Sequence, residues 1–452
     1  MVKKNTLVNK LHRVSPVRTI FLFYFLAVMF STILLLMPIA HQDGVKVSFI
    51  DTLFTAVSAV SVTGLSTVII AETYSTVGFI FIAIILQFGA VGVMAMGTLI
   101  WLLLGRKIGL KERRLIMTDQ NQTSFRGMVS LIKQIIFVVM TIELISFIVL
   151  GTYYLQYFSS VKEAYLHGFF GTISAFSNGG FDITGESLIP FKDDYFIQFM
   201  TMLLIILGAI GFPVLIEVKE FLLRRKKNRH HFTLYTKLTT ATFFILIIVG
   251  ALFIYLLDVK NFFVDKSWHE ALFYTLFQSV TTRSGGLSTM DVTGLTEANH
   301  LFMSFLMFIG ASPSSAGGGI RTTTFALVVI FIVTYARGRQ NIRIFKREIY
   351  DEDLMKAVTV ILMAIGLVFI SSLIMIIIEP FTITEIFFDV TSAFGTVGLS
   401  LGITSELTIV SKVILMILMF IGRIGILTFL FTFKSNKTHG NYHYPKERII
   451  IG

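Results

Sequence analysis

The chain has 452 residues, of which 54% are hydrophobic, a mean hydropathy of +0.79, a formal net charge of +11 and no cysteine. Its many apolar runs of roughly 20 residues each match a hydrocarbon layer about 30 Å thick, so it reads as a polytopic membrane protein and not as a soluble domain. Without cysteine, disulfides, thiolate metal sites and cysteine nucleophiles are excluded.

Met1–Arg18 is basic and leads into a full-length span without a small-residue cleavage site, which reads as a retained first helix and not a removed signal peptide. The positive charge is unevenly spread: 28 of the 38 Lys and Arg fall in segments 1–18, 105–133, 224–237, 337–356 and 434–452. Segments poor in Lys and Arg alternate with these, and that is the positive-inside pattern, with both termini and three loops in the cytoplasm. The same basic surface suits anionic lipid. It does not suit nucleic acid, whose binders cluster charge with stacking aromatics on one face.

Between successive basic segments a span goes out, a shorter apolar segment follows, and a second span returns. In the first unit these are Val17–Met37, Phe49–Val60 and Thr76–Leu104; in the second, Leu131–Leu155, Tyr165–Phe176 and Tyr195–Leu223. The third has Leu234–Leu257, Trp268–Val280 and Leu301–Ala336, and the fourth Lys356–Ile378, Ile383–Phe394 and Thr408–Phe433. The expected organisation is a cytoplasmic N-terminus (1–16), repeats at 17–104, 131–223, 234–337 and 356–433, and a cytoplasmic tail (434–452). The middle segments are too short to cross, which predicts re-entrant half-helices. Asp51, Glu163, Glu270 and Glu385 lie where negative charge suits the start of each. The expected fold class is all-α integral membrane, with eight transmembrane helices and four re-entrant half-helices around a pseudo-fourfold pore.

Each half-helix runs into a glycine stretch: Val62-Thr63-Gly64-Leu65, Asn178-Gly179-Gly180-Phe181, Ser284-Gly285-Gly286-Leu287 and Thr396-Val397-Gly398-Leu399. The third-position glycines Gly64, Gly180, Gly286 and Gly398 are successively 116, 106 and 112 residues apart, so one unit is used four times. Non-helical backbone at membrane depth persists only where it lines water or is buried in protein. Four such loops around one axis can offer carbonyl rings that replace an ion's water shell, with the half-helix dipoles favouring a cation.

These residues resemble the filter loops of the Trk/Ktr/HKT superfamily of potassium transporters, and the resemblance covers the whole chain. Its length, short termini and four filter glycines are most similar to the membrane subunits of bacterial Ktr systems, the KtrB/KtrD type. Only the fourth copy keeps Thr-Val-Gly, and none has the second glycine of the potassium-channel Thr-Val-Gly-Tyr-Gly consensus. The resemblance implies potassium uptake across the bacterial plasma membrane, with sodium dependence left open. It also implies a homodimer and a cytosolic nucleotide-binding regulatory subunit, the octameric ring of the KtrA/KtrC type. No cofactor is expected in the chain itself, only the transported potassium or sodium.

The stretch Gly310-Ala311-Ser312-Pro313-Ser314-Ser315-Ala316-Gly317-Gly318-Gly319 interrupts the third return span and cannot hold a straight helix. It reads either as a kink or as a mobile loop obstructing the pore beneath the filter; the resemblance implies a gate loop. Arg423, inside the last span, either snorkels to the interface or places a fixed charge by the gate. Arg283 is expected to pin the third filter loop to an acidic partner, and Arg321 to anchor the gate stretch. Glu143 and Glu217 read equally as interhelical hydrogen bonds or ion sites. Acidic residues such as Asp43, Glu72, Asp182, Glu186, Asp193, Asp194, Asp291 and Glu297 predict a negative outer vestibule or ordinary solvated loops.

A phosphate-binding loop is absent, since Gly317-Gly318-Gly319 lacks the Gly-Lys-Ser/Thr ending, and no His spacing suggests a metal. Neither Gly64-Leu65-Ser66-Thr67 nor Gly398-Leu399-Ser400-Leu401 completes a serine nucleophile turn, so an enzyme is not expected. The alternative function is a secondary transporter of another substrate working by a rocking mechanism, since broken helices and repeats occur there too.

Overall fold

The computed structural model describes residues 16–103, 108–109, 113, 115, 117, 127–223, 231–339, 341–432 and 447. The expected N-terminal segment (1–16, apart from Pro16) and the tail (434–452, apart from Glu447) lie outside the described residues.

Four units follow one another. The first comprises α1 (Pro16–Leu36), α2 (Phe49–Ser61), α3 (Thr76–Val91) and α4 (Val93–Leu103); the second α5 (Met128–Tyr153), α6 (Val161–Ser177), α7 (Tyr195–Ala209) and α8 (Phe212–Leu223). The third has α9 (Leu234–Asp258), α10 (Trp268–Thr281), α11 (Glu297–Phe308) and α12 (Thr322–Ala336), and the fourth α13 (Asp351–Ile378), α14 (Ile383–Gly395), α15 (Ile409–Ile424) and α16 (Ile426–Thr432). A two-stranded hairpin, β1 (Arg343–Ile344) with β2 (Arg347–Glu348), joins the last two units.

The outgoing helices α1, α5, α9 and α13 are each long and apolar enough to cross a membrane. Their large side chains face outward, with Phe30, Phe137, Ile248 and Phe369 all exposed, as a surface solvated by lipid requires. The half-helices α2, α6, α10 and α14 are the opposite case. At 13 to 17 residues they are about 20–25 Å long, and most of their second halves is fully buried. Their starts are set by local chemistry. Ser267 with Glu270 and Thr382 with Glu385 form capping boxes, and Ser48 caps α2 ahead of Asp51.

The return spans depart from the expectation of continuous helices. The pair α3/α4 is bent by 100° and α7/α8 by 105°. The breaks fall at Gly92 and Gly211, and the fourth span breaks at Gly425; all three take φ of +92° to +105°. Only glycine adopts such angles cheaply, so the chain turns there although the apolar run continues. Gly310–Gly319 is therefore not the sole break. It is the longest version of one that every return span carries.

Candidate functional site

The site grows out of how the half-helices end. In α2, α6 and α14 the first residue past the helix is left-handed: Val62 (φ 57°), Asn178 (φ 59°) and Thr396 (φ 48°). Each makes a double closure. Val62 N–H donates to Ala59 O and Thr63 N–H to Ser58 O, and the same pair recurs at Asn178/Gly179 and Thr396/Val397. This is a Schellman ending, normally built on glycine. Holding β-branched Val62 and Thr396 there costs about 1–3 kcal/mol each, strain of the kind that gathers at functional sites. In the third unit the residue past α10, Thr282, keeps right-handed helical angles, and the left-handed residue is Ser284 (φ 67°), two before Gly286 as in the other copies.

The glycines Gly64, Gly180, Gly286 and Gly398 are also left-handed, at φ 95°, 66°, 73° and 100°. A left-handed residue at every second position turns successive carbonyls towards one side, which is how backbone builds an ion site. Helix hydroxyls brace the loops from behind. Ser58 and Ser392 Oγ accept from Gly64 and Gly398 N–H at 3.0 and 3.1 Å, while Ser174 Oγ and Thr281 Oγ1 donate to Phe181 and Leu287 O.

The four loops close a ring. A Cβ on Gly64 would stand 2.7 Å from Gly179 O, and one on Gly180 would stand 2.9 Å from Gly286 Cα. One on Gly286 would overlap Val397 O, and one on Gly398 would overlap Thr63 O, which returns to the first unit. Thr63, Gly64, Gly179, Gly180, Gly286, Val397 and Gly398, seven of the twelve sequence-predicted filter residues, thus meet directly, drawn from four points more than 100 residues apart, and the other five adjoin them in the same loops.

The stretch 310–319 lies directly against this ring. A Cβ on Gly317 would be 2.7 Å from Ser284 Cβ, and one on Gly318 would be 2.6 Å from Thr396 Oγ1. Its backbone is tied to other return spans: Ser312 and Ala316 N–H donate to Ala209 and Gly208 O, both at 3.0 Å, and Gly319 N–H to Gly422 O at 3.2 Å. Ser314 O accepts from Phe212 N–H, and Pro313 O from the Tyr235 hydroxyl at 2.6 Å. Ser315 Oγ closes back on Ser312 O.

Arg423 is buried and does not snorkel. Its guanidinium donates to Ala316 and Gly317 O of the stretch and to Gly89 and Ala90 O of α3. Arg321 donates to Ser312 and Gly317 O. Arg283 departs from expectation. It has no acidic partner among the described residues, and it donates to Leu306 and Ile309 O instead. Beneath the stretch a cavity of about 470 Å³ is lined in part by Tyr235, Pro313, Gly319, Arg321, Ile424 and Gly425.

Two sets of residues escaped the sequence reading. One is the pattern Gly89-Ala90-Val91-Gly92, Gly208-Ala209-Ile210-Gly211 and Gly422-Arg423-Ile424-Gly425, with Gly310-Ala311-Ser312-Pro313 in the third unit. The first glycine of each of the three complete copies lies flush on the end of its own half-helix, against Val60, Phe176 or Phe394 O, where any Cβ would collide. The recurrence, 24 to 28 residues after each filter glycine, was the available signal.

The other is Asp389, fully buried in α14, which accepts from Thr404 Oγ1 at 2.6 Å, Ser400 Oγ at 3.0 Å and Leu401 N–H at 3.4 Å. It fastens the chain just beyond Gly398. Asp389→Ala is expected to leave these donors unpaired, costing about 2–4 kcal/mol, and to lower the thermal midpoint in detergent; Asp389→Asn should recover most of the loss.

Among the other acidic residues, Glu143 is held by a short hydrogen bond from Gln87 Nε2, and Glu217 accepts from Thr233 N–H. Asp182 gathers three backbone N–H groups of its own loop. Burial opposes the charge on Asp194. The Tyr157 hydroxyl, Ile197 N–H, the Tyr153 hydroxyl and Phe196 N–H outweigh it and hold the carboxyl below the ordinary range. Each of these carboxylates is engaged by hydrogen bonds from the chain itself, Glu143 by one between helices.

A ring of four backbone loops with left-handed residues, set among four long apolar helices and two bent apolar pairs in the described residues, defines a multi-pass membrane protein built to pass small ions. The chain belongs to the TrkH family of cation transport proteins, whose family model matches residues 13–442. Among its relatives, Ktr system potassium uptake protein D of Bacillus subtilis is 57% identical over 97% of both chains. Ktr system potassium uptake protein B of the same organism is 34% identical over 97% of both chains. The potassium/sodium uptake protein NtpJ of Enterococcus hirae is 31% identical over 97% of this chain and 98% of its own. In fold, the chain is similar to the potassium transporter TrkH from Vibrio parahaemolyticus, with a TM-score of 0.69 at 20% identity over 91% of this chain and 84% of that one. Family membership makes the chain a transporter and not an enzyme.

Proposed function

We infer that the chain carries potassium into the cell as the membrane component of a Ktr system. The observation that carries this reading is the closed ring of left-handed loops at Gly64, Gly180, Gly286 and Gly398. Potassium loses its water at Val62–Gly64, Asn178–Gly180, Ser284–Gly286 and Thr396–Gly398, where main-chain oxygens replace the hydration shell. It then passes the stretch 310–319, which serves as the gate and is clamped shut by Arg423. The membrane potential drives it inward, at about 2.3 kcal/mol per charge for each 100 mV. The cavity under Pro313 and Gly319 gives the gate room to retract.

The repeats at 17–104, 131–223, 234–337 and 356–433 are the working units of this reading, and the alternation of basic segments favours both termini in the cytoplasm of a bacterial cell. The names of the relatives favour potassium, and one adds sodium. The chain works with other Ktr components: a nucleotide-binding cytosolic ring of the KtrA/KtrC type, and a second copy of itself. The basic loops and the tail 434–452 are the surfaces that such a ring would meet.

The test is ion uptake into proteoliposomes at imposed voltage. Potassium should enter in preference to sodium, without saturating at low rates. Slow, saturable uptake, or uptake of neither ion, would move the rocking transporter to the front.

A further inference from the structure

Arg283 is the largest fully buried side chain among the described residues and stands just before the third filter loop, between Thr282 and Ser284. Its Nη1 donates to Ile309 O at 2.6 Å and its Nη2 to Leu306 O. Those carbonyls belong to the last turn of α11 and the residue just past it, immediately before Gly310, where the gate stretch begins. The free carbonyls at a helix C-terminus carry partial negative charge, so a guanidinium is a fitting partner without any carboxylate. On its other side, Arg283 O accepts from Asn178 Nδ2 of the second filter loop. The next residue, Ser284, donates to Gly395 O at the end of α14 and touches Gly317 of the gate stretch. One side chain therefore joins the inner end of the filter to the hinge of the gate, and its own loop is tied to the loops on either side.

We propose that Arg283 is a positioning residue that couples ion occupancy of the filter to the position of the gate stretch. This rests on the potassium reading above. When potassium sits at Ser284–Gly286, loop three is held in its left-handed form and Arg283 holds Leu306 and Ile309, so the hinge at Gly310 is fixed. When the filter empties and loop three relaxes, the two carbonyls lose their anchor and the gate stretch loosens. Lysine cannot reproduce this, because its single ammonium lacks the fixed fork that spans two carbonyls.

The chain has no native cysteine, so one introduced thiol reports on the gate alone. The full-length protein carrying Ser314→Cys is placed in proteoliposomes, and the rate of modification by a membrane-impermeant thiol reagent is measured in potassium and in choline. Potassium is expected to slow modification about fivefold, within the range of coupling between distant sites. Adding Arg283→Gln should abolish that difference while uptake still prefers potassium over sodium, an outcome that a merely structural role would not produce. Arg283→Lys, the milder change, should reduce the difference and serves if the glutamine variant does not fold. An undiminished potassium effect in either variant, or no potassium effect with Arg283 in place, overturns the coupling. If the Ser314→Cys chain transports but does not prefer potassium, the filter reading fails first, which separates the two ideas.

Discussion

Replacing Gly398 with serine is expected to cut the preference for potassium over sodium at least about tenfold, equivalent to about 1.4 kcal/mol of differential ion stabilisation. A Cβ at this position would overlap Thr63 O of the first filter loop, and the φ of +100° is one that side chains rarely adopt. Two loops must shift, and the change falls on the backbone that would contact the ion. Gly64→Ser should do the same through Gly179 O and Gly180. Gly402→Ser is the control. It also has a positive φ of +92°, but it has open space around it and lies outside the ring, so it should fold less stably and select normally. Potassium and sodium uptake by all three variants, in vesicles at one voltage, decides the matter. Equal selectivity in the native chain and Gly398→Ser would remove the ring from the mechanism.

Arg423→Ala should have the second largest effect: about tenfold faster potassium uptake in the absence of any cytosolic partner, together with lower thermal stability. The guanidinium holds Ala316 and Gly317 O of the gate stretch to Gly89 and Ala90 O of the first return span, and no other described side chain makes that link. Its loss takes a donor from Ala316, Gly89 and Ala90 O, at about 1–3 kcal/mol for each left unpaired, while Gly317 O keeps Arg321, and the stretch loses its tie to α3. Initial uptake rates with and without partner, paired with a melting curve, test both halves. A variant that is less stable but no faster would mean that Arg423 holds the fold and not the gate.

The half-helices were legible from the sequence because their apolar runs stop short of a membrane's width and their first turns carry acid. The structure sets their starts and ends within four residues of the expected positions, the widest difference being Val161 against Tyr165. The glycine loops were legible because small residues recurred at an even period. The bends at Gly92, Gly211 and Gly425 were not, since an apolar run reads the same whether straight or folded through 100°. Hydropathy records solvent preference and is blind to direction. The partners of Arg283 were hidden for a related reason: a cation with no carboxylate nearby can be satisfied by main-chain oxygens, and every residue has one. Asp389 was passed over because an acid deep in a half-helix looks no different in sequence from one at its exposed start. Only the return of Ser400–Thr404 over it shows otherwise.

The contact between Gly398 and Thr63 has a meaning for biosynthesis. The two residues that close the ring are made at nearly opposite ends of the chain, and at ordinary translation rates the second emerges on the order of tens of seconds after the first. Through that interval the first loop waits in the bilayer without its neighbour, and Arg423 has not yet been made to hold the third span shut. A growing chain thus has neither the closed ring nor the Arg423 tie until the last repeat is inserted, and both arrive together, within 25 residues of each other. A ribosome that stalls before that repeat would leave three units in the membrane with the ring open on one side.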